Sequence, residues 1–211
     1  MGNMHEVRLF ALTVGEWQTH CYVLLADGRS IIVDPAAEPE RILAAAAGTT
    51  VQSILLTHGH ADHVQGLEAV RRATGAPVGV HPADAADFGI STDFDLEDGR
   101  VLPFGCHSFQ VVHTPGHTRG SVCLRFDGRA LVGDTLFPGG PGHSVTPEGL
   151  AQIIVSLHDR VFTWPDETAF YPGHGEGGTI GAVRPAFERF LLRPRPPDLC
   201  GDVEWDAPRL S

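Results

Sequence analysis

Four apolar, strand-like runs in this chain each lead into a histidine or an aspartate beside glycine. "SILLT" runs into His58, "FQVVHTPG" leads to His117, "ALVGD" closes on Asp134, and "AFYPG" leads to His174. Sheets with Gly-rich loops at one rim present such side chains as a set held by a rigid scaffold. The densest stretch, "LLTHGHADHVQG", places His58, His60, Asp62 and His63 within six positions. A solvated loop does not need three imidazoles and a carboxylate so close together, and a buried one could not satisfy them without a partner. Together these places supply five histidines and two aspartates. Imidazole nitrogen with carboxylate oxygen suits zinc, and also iron or manganese. Seven ligands exceed what one tetrahedral ion takes, and suffice for two ions sharing a bridging carboxylate. Any one of these histidines alone would read as a hydrogen-bonded loop residue; the full set favours metal.

The runs between them define the fold class. "EVRLFALTV", "CYVLLAD" and "SIIVDPA" are strand-like, and Asp27-Gly28 joins the second to the third as a hairpin. "EPERILAAAAG" has helical composition with Pro39 near its start and Gly48 as its stop. "VQSILLT" reads as a buried strand, and "HVQGLEAVRRATG" has helical spacing at Val64, Leu67, Val70 and Arg71. The second half repeats the style with strands "HSFQVVHT", "SVCLRFDG" and "ALVGD", a helix over about 147–160, the strand "TAFYPG", and a helix around "IGAVRPAFERFLLR". Two strand-rich halves with no linker predict one domain over residues 1–193, built of two packed sheets flanked by helices. From Pro194 the Pro-rich tail, 194–211, is expected to be extended or loosely attached.

Charge and composition exclude several functions. The net charge of −11 argues against a phosphate-backbone partner, so no nucleic acid is expected. All 15 cationic side chains are Arg, which rules out a lysine base or Schiff base. No apolar run approaches a membrane span, and "MGNMHEVRLFALTV" lacks the basic-then-apolar pattern of a signal peptide. Four scattered cysteines without a CxxC pair are expected to be buried, reduced thiols. A cytoplasmic protein follows, of open oligomeric state.

The set "THGHADH", "TPGHTRGS", "GDTLF" and "YPGHG" resembles the metallo-β-lactamase superfamily, and within it the glyoxalase II-like (hydroxyacylglutathione hydrolase-like) hydrolases. The resemblance spans about residues 7–191, in family order. It implies an α/β fold, an αββα sandwich of two mixed β-sheets flanked by helices, with a dinuclear site at one edge. Carried over residue by residue, it assigns His58, His60 and His117 to metal one and Asp62, His63 and His174 to metal two, with Asp134 bridging. It further implies two divalent ions, zinc foremost with iron or manganese as alternatives. A metal-bridging hydroxide would attack a small thioester or ester, with Asp62 and Asp134 as the catalytic carboxylates. Arg119 stands where relatives usually have Pro and is a candidate contact for an anionic substrate; His143, in "FPGGPGHS", is a candidate pocket residue. His5, His20, His81, His107, His113 and His158 are read as structural, solvated or supporting.

Glutathione itself is a doubtful carrier, because the lysine that helps hold it in glyoxalase II is missing. A mononuclear-iron persulfide dioxygenase is the nearest rival, although the Arg-Thr-Asp sequence usual after "GD" is absent. A lactonase remains open, a β-lactamase or nuclease less so. The non-enzyme alternative is a metal-binding protein without catalysis.

Overall fold

Side-chain alternation along the strands explains the layering. The computed structural model describes residues 6–207, so His5 and residues 208–211 lie outside the described part. One six-stranded sheet contains β1 (Arg8–Val14), β2 (Thr19–Ala26), β3 (Arg29–Val33), β4 (Thr50–Leu55), β5 (Val78–Val80) and β6 (Phe94–Asp95), in that spatial order. The second contains β7 (Val101–Phe104), β8 (His107–His113), β9 (Val122–Phe126) and β10 (Arg129–Gly133). After the short hairpin of β11 (Leu136–Phe137) and β12 (Gly140–Pro141), it is completed by β13 (Ala169–Pro172) and β14 (Gly178–Thr179). Its order is β14-β13-β10-β9-β8-β7. Both sheets are mixed, with parallel pairing at β3–β4–β5–β6 and at β10–β13.

Tyr22, Leu24, Ile31, Val33 and Leu55 point from the first sheet toward Val111, Val122, Leu124 and Leu131 of the second. Their neighbours along the same strands point outward. Cys21, Val23, Ile32 and Ile54 pack against α1 (Pro39–Ala45) and, beyond α2 (Ala61–Val64), α3 (Leu67–Thr74), through Ile42, Leu67 and Val70. Beyond α4 (Pro82–Phe88), the outer face of the second sheet, with Val112, Cys123, Ala130 and Val132, packs on α5 (Pro147–Asp159) and α6 (Ile180–Leu192). Strands apolar on both faces, at a period of two, need cover on both sides. The result is the expected αββα sandwich.

Several expectations are refined. The helical pattern "HVQGLEAVRRATG" is split into α2 and α3, because the Gly66 amide turns to the carbonyls of Pro35 (2.8 Å) and Ala36 (3.1 Å). The stretch 76–104 supplies β5, α4, β6 and β7, elements too short for periodicity to reveal. No disulfide joins the cysteines among the described residues; Cys21 and Cys123 are buried as expected, but Cys106 is exposed because it sits in the β7–β8 turn. The described part of the tail, 194–207, is not loosely attached. Leu199, Val203 and Trp205 are buried, and Trp205 packs edge-on against Phe187 and Phe190 with centroids 5.4 and 5.3 Å away. Among the described residues no helix is long and apolar enough to cross a membrane.

Phe109 is fully buried between the sheets, 4.7 Å from the Phe126 ring and 5.7 Å from Phe104. Phe109→Ala should therefore destabilise the fold by about 3–5 kcal/mol. Urea unfolding should show a lower midpoint at unchanged slope.

Candidate metal centre

Loops at one edge of the sandwich bring the seven sequence-predicted ligands together. β4 hands the chain to His58 and His60 just ahead of α2, whose first turn carries Asp62 and His63. The β8–β9 loop carries His117, the chain leaving β10 carries Asp134, and the chain leaving β13 carries His174. Three overlapping triads result: His58–His60–His117, His58–His63–Asp134, and Asp62–His63–His174. Within each, one donor atom per residue lies within 4.8 Å of the others. One Asp134 oxygen is 3.5 Å from His63 Nε2; the other is 3.8 Å from His117 Nε2 and 3.6 Å from His174 Nε2. The carboxylate thus stands between the outer two triads.

Four of the five histidines are held by their Nδ1 atoms. His63 Nδ1 contacts Asp34 Oδ2 at 3.0 Å, His117 Nδ1 donates to the His143 carbonyl at 2.8 Å, and His174 Nδ1 to the Trp17 carbonyl at 3.2 Å. His58 Nδ1 lies 3.2 Å from the Thr57 hydroxyl, which itself donates to Asp34 at 2.6 Å. With Nδ1 engaged, each ring turns Nε2 inward, as a metal-ligating histidine requires. Gly173 is a steric necessity here, since a Cβ at that position would fall 2.2 Å from Asp134 Oδ1 and 2.5 Å from His63 Cε1.

Two electrostatic environments meet at this edge. Burial, reinforced by the imidazoles of His63, His117 and His60, holds His58 well below the usual histidine range. Burial likewise lowers His60 and His117. Burial also opposes charge on His63, but the neighbouring carboxylates of Asp134 and Asp34 prevail and raise it to about 10. His174 is raised, chiefly by its hydrogen bond to Asp62. Burial would raise Asp62 and Asp134, yet the neighbouring histidines hold both below the ordinary carboxylate value.

The residues fit divalent ions on structural grounds. His63 Nε2 and Asp134 Oδ1 are buried with no hydrogen-bond partner, and His58 Nε2 and His117 Nε2 face each other at 3.3 Å. Buried polar atoms without partners are costly, and a cation between them supplies the partner. The donor set, nitrogen and carboxylate oxygen without thiolate, suits zinc, iron or manganese.

Beside His60 and His117 opens a cleft of about 630 Å³, walled by Phe88, Arg119, Val145 and Glu148. Arg119 is 78% exposed and paired with Asp87 at 3.1 Å. The His143 ring instead contacts Asp202 at 3.0 Å and lines a separate depression against the C-terminal segment. Sequence reasoning missed two carboxylates. Asp34, 1% exposed, accepts from the Thr57 amide and hydroxyl and contacts His63. Its signal was available, because it ends "SIIVD" as the ligands end their own strands. Asp84, 0% exposed, accepts from Gly59 N, Thr118 Oγ1 and Gly120 N, tying the His60 loop to the His117 loop. Nothing in "HPADAADF" marks it out.

A fold and an edge site of this kind define a metal-dependent hydrolase family, and the chain belongs to the metallo-beta-lactamase superfamily, whose family model matches residues 14–174. It is 44% identical over 160 residues to the hydroxyacylglutathione hydrolase of Anaeromyxobacter dehalogenans (strain 2CP-C), covering 74% of this chain. The match spans only 60% of that relative's length. Among solved structures it is similar to ETHE1 from Myxococcus xanthus, with a TM-score of 0.77 and 30% identity over 86% of this chain and 84% of that one. It is also similar to TTHA1623 in a di-iron-bound form, with a TM-score of 0.70 and 33% identity over 82% and 96% of the two chains.

Asp34→Asn keeps the side-chain volume but sets an amide donor against donors. It should weaken metal binding about 10–100-fold, as read by competition with a chelator. Unchanged metal affinity would show that Asp34 does not orient His63.

Proposed function

We propose that the protein is a dinuclear-metal hydrolase of the glyoxalase II-like type that cleaves a small thioester or ester. The observation that carries this reading is the Asp134 carboxylate standing between two histidine sets, with oxygens within 3.8 Å of ligands from both. His58, His60 and His117 would hold one ion, Asp62, His63 and His174 the other, and Asp134 both. Such ions would supply an activated water at neutral pH and polarise the substrate carbonyl. The chain's own residues do the rest.

Asp62, fixed by the Thr19 hydroxyl at 3.2 Å and by His174 at 3.1 Å, orients the attacking water. The cleft beside His60 and His117 receives the substrate, with Phe88 and Val145 against its apolar part and Arg119 at the rim. His143, expected from sequence as a pocket group, has its ring on Asp202, so this reading gives it another part, through the carbonyl that receives the His117 proton. No serine or cysteine nucleophile is needed; burial raises the Cys21 thiol well above its usual range and the Cys123 thiol to about 11.

The purified, metal-replete protein should bind two ions per chain and hydrolyse thioesters in a screen that also holds lactones and glutathione persulfide. Asp134→Ala should lose both ions and reduce turnover by more than the about 100-fold that outer hydrogen-bond partners cost. One ion per chain after reconstitution, with oxygen consumed on persulfide, would replace this reading with a mononuclear-iron dioxygenase.

A further inference from the structure

The segment that follows α6 returns to pack beside the chain around β12, which leads on to His143. Its anchor is Trp205, 1% exposed, against Phe187 and Phe190, while Arg193 donates to the Trp205 carbonyl at 3.0 Å. From that anchor residues 199–206 run beside β12, bonding to the chain on either side of it. The Trp205 amide donates to Gly139 O at 2.8 Å, Gly201 N to Ser144 O at 2.7 Å, and Ser144 N to Gly201 O at 3.2 Å. Between those two attachments lies His143, whose carbonyl receives the His117 Nδ1 proton at 2.8 Å. On its own side the loop is tied by few ladder bonds. The β11–β12 ladder is two residue pairs long, and Gly142 N reaches Thr135 O at 3.3 Å.

We infer that the C-terminal strap, residues 199–206, is a positioning element for His117: it fixes the His143 carbonyl and so sets that ring's tautomer and direction. The strap touches no reacting atom and acts only through the loop. A carbonyl held at both flanks accepts from one direction; released, it would let His117 exchange tautomers and swing, weakening the ion held with His58 and His60. The inference rests on the metal reading for its effect on ions, but the tautomer can be read without metal.

Two substitutions loosen the strap differently. Trp205→Ala removes its anchor. Gly140→Ala leaves the anchor in place, but the new Cβ would fall 2.0 Å from the Val203 carbonyl and push loop and strap apart. Phe109→Ala, destabilised through the inter-sheet core, is the comparison for a merely structural loss. Zinc competition titrations should show one ion about 10–100-fold weaker in the strap variants, the other unchanged, and both unchanged in Phe109→Ala. Nitrogen-15 NMR of the metal-free protein should show one His117 tautomer, protonated at Nδ1, in wild type and a mixture in the strap variants. Should Trp205→Ala fail to fold by circular dichroism, Gly140→Ala decides. A single tautomer and wild-type affinities in Gly140→Ala would overturn the inference, as would equal losses in Phe109→Ala. Wild-type protein that binds no ion would sink the metal reading while leaving the tautomer test intact.

Discussion

The buried carboxylate of Asp34 is the joint on which the rest depends. It sits at the end of β3 in a left-handed conformation, with φ of 51°, and takes three contacts from the other side of the β3–β4 pair. Two come from Thr57, which fixes where the chain leaves β4, and one from His63, which fixes how α2 faces the edge. An unpaired carboxylate at 1% exposure would be untenable, so its partners are held as firmly as it is. Parallel pairing of β3 with β4 brings both strand ends to the same rim, and this makes the single joint possible.

From that joint the centre reads as a graded field. Toward His58, His60 and His117 the surroundings are apolar and rich in imidazole, and burial keeps those rings neutral. Toward Asp62, His63 and His174 carboxylates dominate and favour charge. Asp134 lies where the two regions meet. Cations compensate excess negative charge and satisfy lone pairs of neutral rings at once, so one edge serves both environments.

Much of this was legible in the sequence because the informative residues are chemically conspicuous. Histidines and aspartates at strand ends, three of them two or three positions apart, have few structural uses in common. The two-residue alternation of β2, β3, β8, β9 and β10 carries the sandwich. What stayed hidden has no side-chain signature. The Trp17 and His143 carbonyls that orient His174 and His117 are backbone atoms, available to any sequence. Asp84 looks like one polar residue among several in a short helix. Pro-rich composition after Pro194 describes how the chain travels, not where Trp205 lands. Gly66 read as a tolerated helix interior because its competing acceptors, Pro35 and Ala36, are far away in sequence.

The parallel partnership of β10 with β13 has a consequence for how the molecule comes into being. Between these strands lie the β11–β12 hairpin and α5, so their pairing closes a long loop before any contact repays its entropy. His174 follows β13 in sequence, and the segment carrying Trp205 follows α6. During synthesis, a nascent chain displaying "HGHADH" presents the start of a cradle with nothing opposite it. The donor set is therefore assembled across a long stretch of chain, and it is complete only once β13 has joined the second sheet.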